Sequence, residues 1–326
     1  IYISSYLVFS IWIGMGIFLI LRLLILVTKK IGFIKDLVYS VFSIGFLILI
    51  PGNMFILNSK ENNLSKMYIA EDFGHNILTT CEKNAILFTN GDNDTVPLWF
   101  NQIVKNVRQD VTVVNLSLLN APWYILHLKN GPKKLPVNFT DEQINTISFI
   151  PWKKKNVTLD VPESLSVVID TTNIEEKEFQ LPEKINFTVE PTLGDRFLRI
   201  QDYILLNILN TNKWKKPIYF SVTVREKNFI GLKQYFRLDG FAYKLIPFKN
   251  MFINPDILET NLIKKFRYRH LKDESLRYCK ATESMIPNYR FVWIKLLDYY
   301  SKNNMDVKVN LILDAISKVL PQRLLR

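Results

Sequence analysis

The sequence predicts an α/β domain that follows a two-helix transmembrane hairpin and precedes a helical, tetratricopeptide-like tail. Three observations predict it: two charge-poor apolar runs near the start, a strand-helix-strand-helix alternation in the middle, and two paired helical periodicities near the end. Apolar residues make up 48% of the 326-residue chain and Cys only two positions. That composition excludes a disordered chain, a collagen-like repeat and a disulfide-stapled miniature fold. The expected organisation is two transmembrane helices over residues 1–57, the α/β domain over 58–250 and the tail over 251–326.

Residues 1–28 carry a single charge, Arg22, and residues 37–57 carry none. At a rise of about 1.5 Å per residue each run reaches the roughly 20 residues that cross a bilayer core. A signal peptide would need a basic start, a short apolar middle and a small-residue cleavage site, none of which occurs. Pro51-Gly52 should kink or terminate the second span. The short connection holds Lys29, Lys30 and Lys35, which by the positive-inside rule places it in the cytoplasm and everything after residue 57 outside. Arg22 lies close enough to this loop to snorkel to the headgroups. The expected location is therefore a membrane, with an extracytoplasmic soluble part and lipid as the first partner. The chain starts within a span, and one helical hairpin at its end cannot bury its own apolar face, so a longer protein is expected at both ends.

In the soluble part, residues 64–81 have helical spacing of Met67, Ala70, Phe73, Ile77 and Leu78. Ala85-Ile86-Leu87-Phe88-Thr89 then reads as a buried strand, and Pro97 marks the first turn of a helix to about Val107. Val111-Thr112-Val113-Val114-Asn115-Leu116 is a second strand, followed by a helix through Pro122, Trp123, Tyr124 and Leu128. This order is that of a parallel βαβ unit. Residues 131–194 are rich in Pro, Lys, Asn and Thr, so loops and short, partly antiparallel strands are expected there, including one at Ser166-Val167-Val168-Ile169. A helix follows near 202–209, a strand over 217–224, and a strand or hairpin arm around Asp239-Gly240. The last stretch gives helices over 289–300 and 307–320, spaced like one tetratricopeptide-type repeat that could meet a protein partner.

The strongest candidate for chemistry is Asn90-Gly91-Asp92-Asn93-Asp94-Thr95, where a strand ends and a helix begins, because ligands of open α/β sheets bind outside that edge. Asp92 and Asp94 could accept hydrogen bonds from sugar hydroxyls or hold a divalent cation. Equally, Asp94 or Thr95 could cap the helix while Asn90 and Asp92 satisfy turn amides. The later ligands of an EF-hand are missing, and no metal site is expected. Trp99 and Trp123 sit beside strand ends, where a ring packs in the core or stacks on a sugar. His75, His127 and His270 stand alone, and no glycine-rich phosphate loop occurs. Cys81 and Cys279 could pair or remain free. Residues 213–326 carry 23 basic and 10 acidic side chains. With no zinc-finger, RNP or helix-turn-helix signature, this charge reads as solvated helix faces rather than a nucleic-acid surface.

The string Asn84-Ala85-Ile86-Leu87-Phe88-Thr89-Asn90-Gly91-Asp92-Asn93-Asp94-Thr95, with Pro97-Leu98-Trp99, Arg108-Gln109-Asp110-Val111 and Val114-Asn115-Leu116-Ser117-Leu118-Leu119-Asn120, resembles the C-terminal half of bacterial family-117 glycosyltransferases. Trp214-Lys215-Lys216-Pro217-Ile218-Tyr219-Phe220 and Phe236-Arg237-Leu238-Asp239-Gly240-Phe241-Ala242-Tyr243 match further on, which adds Arg237 and Asp239 as secondary candidates. The resemblance covers most of residues 65–250. It implies a polytopic inner-membrane enzyme of the GT-C type, related to a protein O-mannosyltransferase and using a lipid-linked sugar donor. It also implies that the catalytic acid lies in an early outward loop outside this chain, that no cofactor belongs to this part, and that the soluble domain binds acceptor protein, glycan or a partner. Val96 departs from the family's aromatic, and Asn62-Asn63-Leu64-Ser65 lacks its charged entry. Two rival readings are a cell-envelope scaffold without transferase activity and a hydrolase using Asp92 and Asp94 with a metal.

Overall fold

The computed structural model describes residues 3–28, 34–60, 62–165, 180–276 and 278–321, and contacts divide the chain into two units, Ile1–Lys66 and Met67–Arg326. In the first unit α1 (Ile3–Thr28) is followed by α2 (Ile34–Leu47), a π-helical turn (Ile48–Gly52) and α3 (Asn53–Asn58). Ser4–Val27 and Asp36–Asn58 are long and apolar enough to cross a membrane, and their side chains are exposed or half-buried among the described residues. With side chains such as Trp12, Phe18, Leu49 and Phe55 left bare, these helices mark a membrane protein. Of the two outcomes expected at Pro51-Gly52, a kink or an end, the end does not occur. The wider π turn takes up the Pro51 ring and missing N–H, and the helix continues to Asn58. Most of the lysine-bearing connection lies outside the described residues.

The second unit runs α4 (Ile69–Thr80), β1 (Ile86–Thr89), α5 (Asp92–Ile103), β2 (Thr112–Asn115), α6 (Pro122–Asn130), α7 (Asp141–Asn145), β3 (Ile150–Pro151), β4 (Lys155–Asp160), β5 (Lys184–Val189), β6 (Phe197–Leu198) and α8 (Ile200–Asn212). It continues with β7 (Ile218–Ser221), β8 (Phe236–Leu238), β9 (Ala242–Leu245), α9 (Pro255–Thr260), α10 (Lys280–Glu283), α11 (Ile286–Lys302) and α12 (Asp306–Val319). The main sheet has the order β2-β1-β7-β9-β8. β1 is parallel to both neighbours, with Ile86 opposite Thr112 on one side and Ile218 on the other. β9 runs antiparallel to β7 and β8. The βαβ unit read from the sequence is thus present, extended by a hairpin around Asp239-Gly240.

Period-2 geometry sends alternate strand residues to opposite faces. Ile86, Phe88, Val114, Ile218 and Phe220 enter one core with Ile204, Leu205 and Ile208 of α8. Leu87, Val113 and Tyr219 enter the other with Phe73 and Ile77 of α4. Burial on both faces is why the strands read as unbroken apolar runs. Tyr289, Val292, Trp293 and Leu296 of α11 and Ile312 and Ile316 of α12 join the second core, so the α/β layer covers the apolar face of the helical hairpin. The expected short antiparallel strands occur as β4 with β5 and β3 with β6; the strand expected at Ser166-Val167-Val168-Ile169 lies outside the described residues. Cys81 is buried and Cys279 exposed, and both are free.

α4 begins at Ile69, later than the periodicity suggested, because residues before it turn on the bond from the Ser65 amide to Asn63 Oδ1. It crosses α5 at Gly74, where a Cβ would stand 2.6 Å from the Pro97 carbonyl oxygen. The adjoining His75 is buried, and burial, then the Arg267 charge, hold its imidazole below the ordinary value of 6.5, against a smaller opposing effect of Asp72. A depressed folded value means that the associated stability is complete above the unfolded value and is lost as pH falls through the folded one. The melting temperature should therefore drop on acidification from about pH 7.5 to about pH 5, a range in which His is the main unperturbed titrating side chain. His75→Gln should flatten that slope, as read by thermal unfolding of the full chain in nanodiscs; an unchanged slope would assign the titration elsewhere.

Candidate functional site

β2 and β7 flank β1, so the chain leaves the carboxyl end of β1 toward one side while β7 occupies the other, the arrangement that opens a crevice in parallel sheets. Asn90 and Gly91 alone separate β1 from α5. The helix starts at Asp92 rather than near Pro97. The reason is Asp94: its Oδ1 accepts from the Gly91 amide at 3.0 Å and its Oδ2 from the Asn90 amide at 3.1 Å, so its carboxylate reaches back to cap the chain that enters the helix. The Thr223 hydroxyl, beyond the end of β7, also donates to Asp94 Oδ2.

Thr95 is equally enclosed. Its hydroxyl lies 2.7 Å from that of Thr89 and accepts from Asn115 Nδ2 at 3.0 Å. Asn115 Oδ1 accepts from the Leu118 amide at 3.1 Å, and the Asn115 amide donates to the Tyr124 hydroxyl; burial raises the pKa of that phenol. Thr89, Asp94, Thr95, Asn115 and Ser221 are all buried. Three strand ends are thereby tied by side chains into one polar knot.

A second layer extends it. Asn90 Oδ1 accepts from Asn228 Nδ2, and the Asn90 carbonyl accepts from Ser117 Oγ at 2.6 Å. Asn228 in turn accepts from Arg199, whose Nε donates to buried Asp202 at 2.7 Å. Gln201 joins Asp202 to Asn120. None of Thr223, Asn228, Arg199 or Asp202 was signalled as a site residue by sequence, since Arg199 and Asp202 sit at the start of α8 while Thr223 and Asn228 follow β7, and only tertiary contact joins them to the strand-to-helix string.

The candidate string therefore divides. Asp94 and Thr95 face inward with their oxygens engaged, so Asp94 as it stands does not share a cation with Asp92. Asp92 and Asn93 are exposed, with no side-chain hydrogen bond among the described residues. Trp123, 63% exposed, projects from the first turn of α6 and meets Tyr124 edge-on at 5.5 Å. Trp99 is half-buried and packs on both cores. Arg237 and Asp239 are buried and turned to each other, Nε to Oδ1 at 2.6 Å and Nη2 to Oδ2 at 2.9 Å. Among the described residues, no three His, Cys, Asp or Glu side chains are grouped to hold a metal.

An apolar helical pair followed by a three-layer α/β unit, with a rigid knot beneath a small exposed polar tip at the sheet's carboxyl edge, defines a membrane-anchored α/β protein with a candidate binding edge. The sequence pattern of the TMEM260-associated domain 2 family matches residues 70–148 and 133–261, more than half of the chain, and the protein belongs to that family. It is similar to the protein O-mannosyl-transferase tmem260 of Dictyostelium discoideum, 28% identical over 79 residues that make up 24% of this chain and 10% of that protein. The chain thus aligns with only a small part of that relative's length. No solved structure matches it.

Proposed function

We propose that this chain is the C-terminal part of a polytopic glycosyltransferase of the bacterial family-117 type in the inner membrane, and that its α/β unit faces the extracytoplasmic side and holds acceptor protein or glycan at the carboxyl edge of the sheet. The observation that carries the reading is the pair Asp92 and Asn93, exposed on a helix start that the buried knot of Asp94, Thr95, Asn115 and Thr223 holds in place. Such a tip offers carboxylate and amide groups to hydroxyls or peptide groups without having to reorganise. Membership in the TMEM260-associated family and similarity to a protein named as an O-mannosyl-transferase support the class of reaction. The lipid-linked sugar donor and the catalytic acid belong to membrane segments outside these residues, and the present side chains bind and position rather than transfer.

Asp92→Ala combined with Asn93→Ala in the full-length protein should lower glycan transfer about tenfold or more, the loss expected for hydrogen bonds to a charged group. Thermal unfolding should stay within about 0.5 kcal/mol of the parent because both side chains are exposed. Unchanged transfer would remove the edge as a binding site. Protease protection of intact cells checks sidedness, and digestion of the α/β unit from the cytoplasmic face would end the assignment.

A second reading, an envelope scaffold without transferase activity, draws on the tail. Val307 is 84% exposed, with Leu311 and Leu313 also exposed on α12. A repeat-like partner stacked on that helix would cover them.

A further inference from the structure

The segment after β7 does two things at once. Thr223 and Asn228 bond the Asp94 and Asn90 side chains, while Val224, Glu226, Phe229 and Lys233 line a cleft of about 460 Å³ on the same segment. Strands β8 and β9 supply Phe236 and Tyr243, the following loop Phe252, and α11 Phe291 and Lys295. The cleft is therefore a neighbour of the candidate edge, built by the same turn, and lies wholly within the second unit.

Its chemistry is mixed in a particular way. Phe229 and Phe236 form a buried floor, edge to face at 4.8 Å, with Tyr243 parallel to Phe236 at 6.0 Å. Phe252 stands at the rim, 62% exposed. The Tyr243 hydroxyl has no hydrogen-bond partner among the described residues, and burial, then the nearby Glu226 charge, push it up to about 12, so it stays a neutral donor and acceptor. Glu226 and Lys233 pair at 2.7 Å on the rim, and Lys295 lies 5.7 Å from the Phe291 ring centroid.

An aliphatic side chain would use the aromatic walls but leave the phenol and the charges of Glu226, Lys233 and Lys295 idle. A phosphate or carboxylate would find Lys295, but Lys233 is already held by Glu226, whose carboxylate it would also face, and the floor beneath is apolar. A neutral pyranose satisfies all of it: one face of the ring is C–H and lies on an aromatic plane, while its hydroxyls both donate and accept. A volume of this size sits at the lower end of the range for small-ligand sites and suits one or two sugar rings. We propose that this aromatic cleft is a carbohydrate-binding subsite that takes a neutral hexose, with Phe252 and Tyr243 as its stacking platform and polar contact. This rests on the reading of the unit as one that handles glycosylated material, and it adds a site distinct from Asp92 and Asn93.

Saturation-transfer NMR on the full chain in nanodiscs, with methyl α-D-mannopyranoside as probe, tests it. The expected result is saturation of the ring C–H protons, about tenfold weaker binding in Phe252→Ala from the lost stacking face, and weaker binding in Tyr243→Phe, which keeps the ring and removes only the hydroxyl. Ile103→Ser, at the exposed end of α5 and outside the cleft, should leave the signal unchanged. No transfer to the sugar, or a signal indifferent to Phe252→Ala, overturns the proposal. So does a signal from an unglycosylated phenylalanine-containing peptide that exceeds the one from the sugar, which would make the cleft a peptide site. If the sugar binds through these residues while full-length Asp92→Ala/Asn93→Ala transfers normally, the subsite stands and the reading of the edge falls.

Discussion

Asp239→Ala is expected to cost the second unit about 3–5 kcal/mol, the range for removing one partner of a buried ion pair. Arg237 and Asp239 are each 1% exposed, and two parallel N–H···O bonds join them. Alanine would leave a guanidinium in the core without its carboxylate, and that charge cannot shed its proton to escape. The double variant Arg237→Met/Asp239→Leu removes both charges and should unfold at a higher temperature than Asp239→Ala alone, because two uncharged side chains carry no desolvation penalty. Chemical unfolding of the full chain in nanodiscs reads both. If Asp239→Ala lies within about 1 kcal/mol of the parent, the pair does not hold the fold. Transfer lost in Asp239→Ala but kept in the double variant would show that the pair acts through folding.

Asp94→Ala should be the next largest, at about 2–3 kcal/mol, since it takes the acceptor from the half-buried Asn90 and Gly91 amides, leaves the Thr223 hydroxyl with Ser221 as its remaining partner, and removes the helix cap. Thr223→Val removes one of these bonds and should cost about 1 kcal/mol. The order of melting temperatures is then Asp94→Ala lowest, Thr223→Val intermediate, and Asp92→Ala indistinguishable from the parent. This separates the two aspartates of one short string into a brace and an exposed tip. Asp94→Ala that melts like the parent yet loses transfer would give Asp94 the contacting role instead.

The contrast explains what could be read beforehand. The string from Asn90 to Thr95 is legible as a strand-to-helix junction because its residue types suit tight turns and helix starts. Its split is not legible, because Asp92 and Asp94 are the same residue two positions apart. Helical phase and the arrival of Thr223, 129 residues later in the chain, turn one inward and leave the other in water. Arg237 and Asp239 look alike in a motif whether they meet a ligand or each other. Only burial on the sheet decides, and it favours each other. The aromatic cleft was invisible for a similar reason, as Phe229, Tyr243, Phe252 and Phe291 come from separate elements and no local period links them.

By itself the sequence determined the two apolar helices, the parallel strands and the terminal helical pair. Each depends on a periodicity or an unbroken apolar run within one segment, and local patterns suffice where the backbone must satisfy its own hydrogen bonds and bury one face or two. Tertiary structure decided the rest: that a π turn carries the second helix past Pro51, that α11 and α12 share a core with α4, and that Asp94 is enclosed while Asp92 is exposed. These outcomes depend on which surfaces meet across long stretches of chain, and that information resides in packing between elements rather than in the spacing within them.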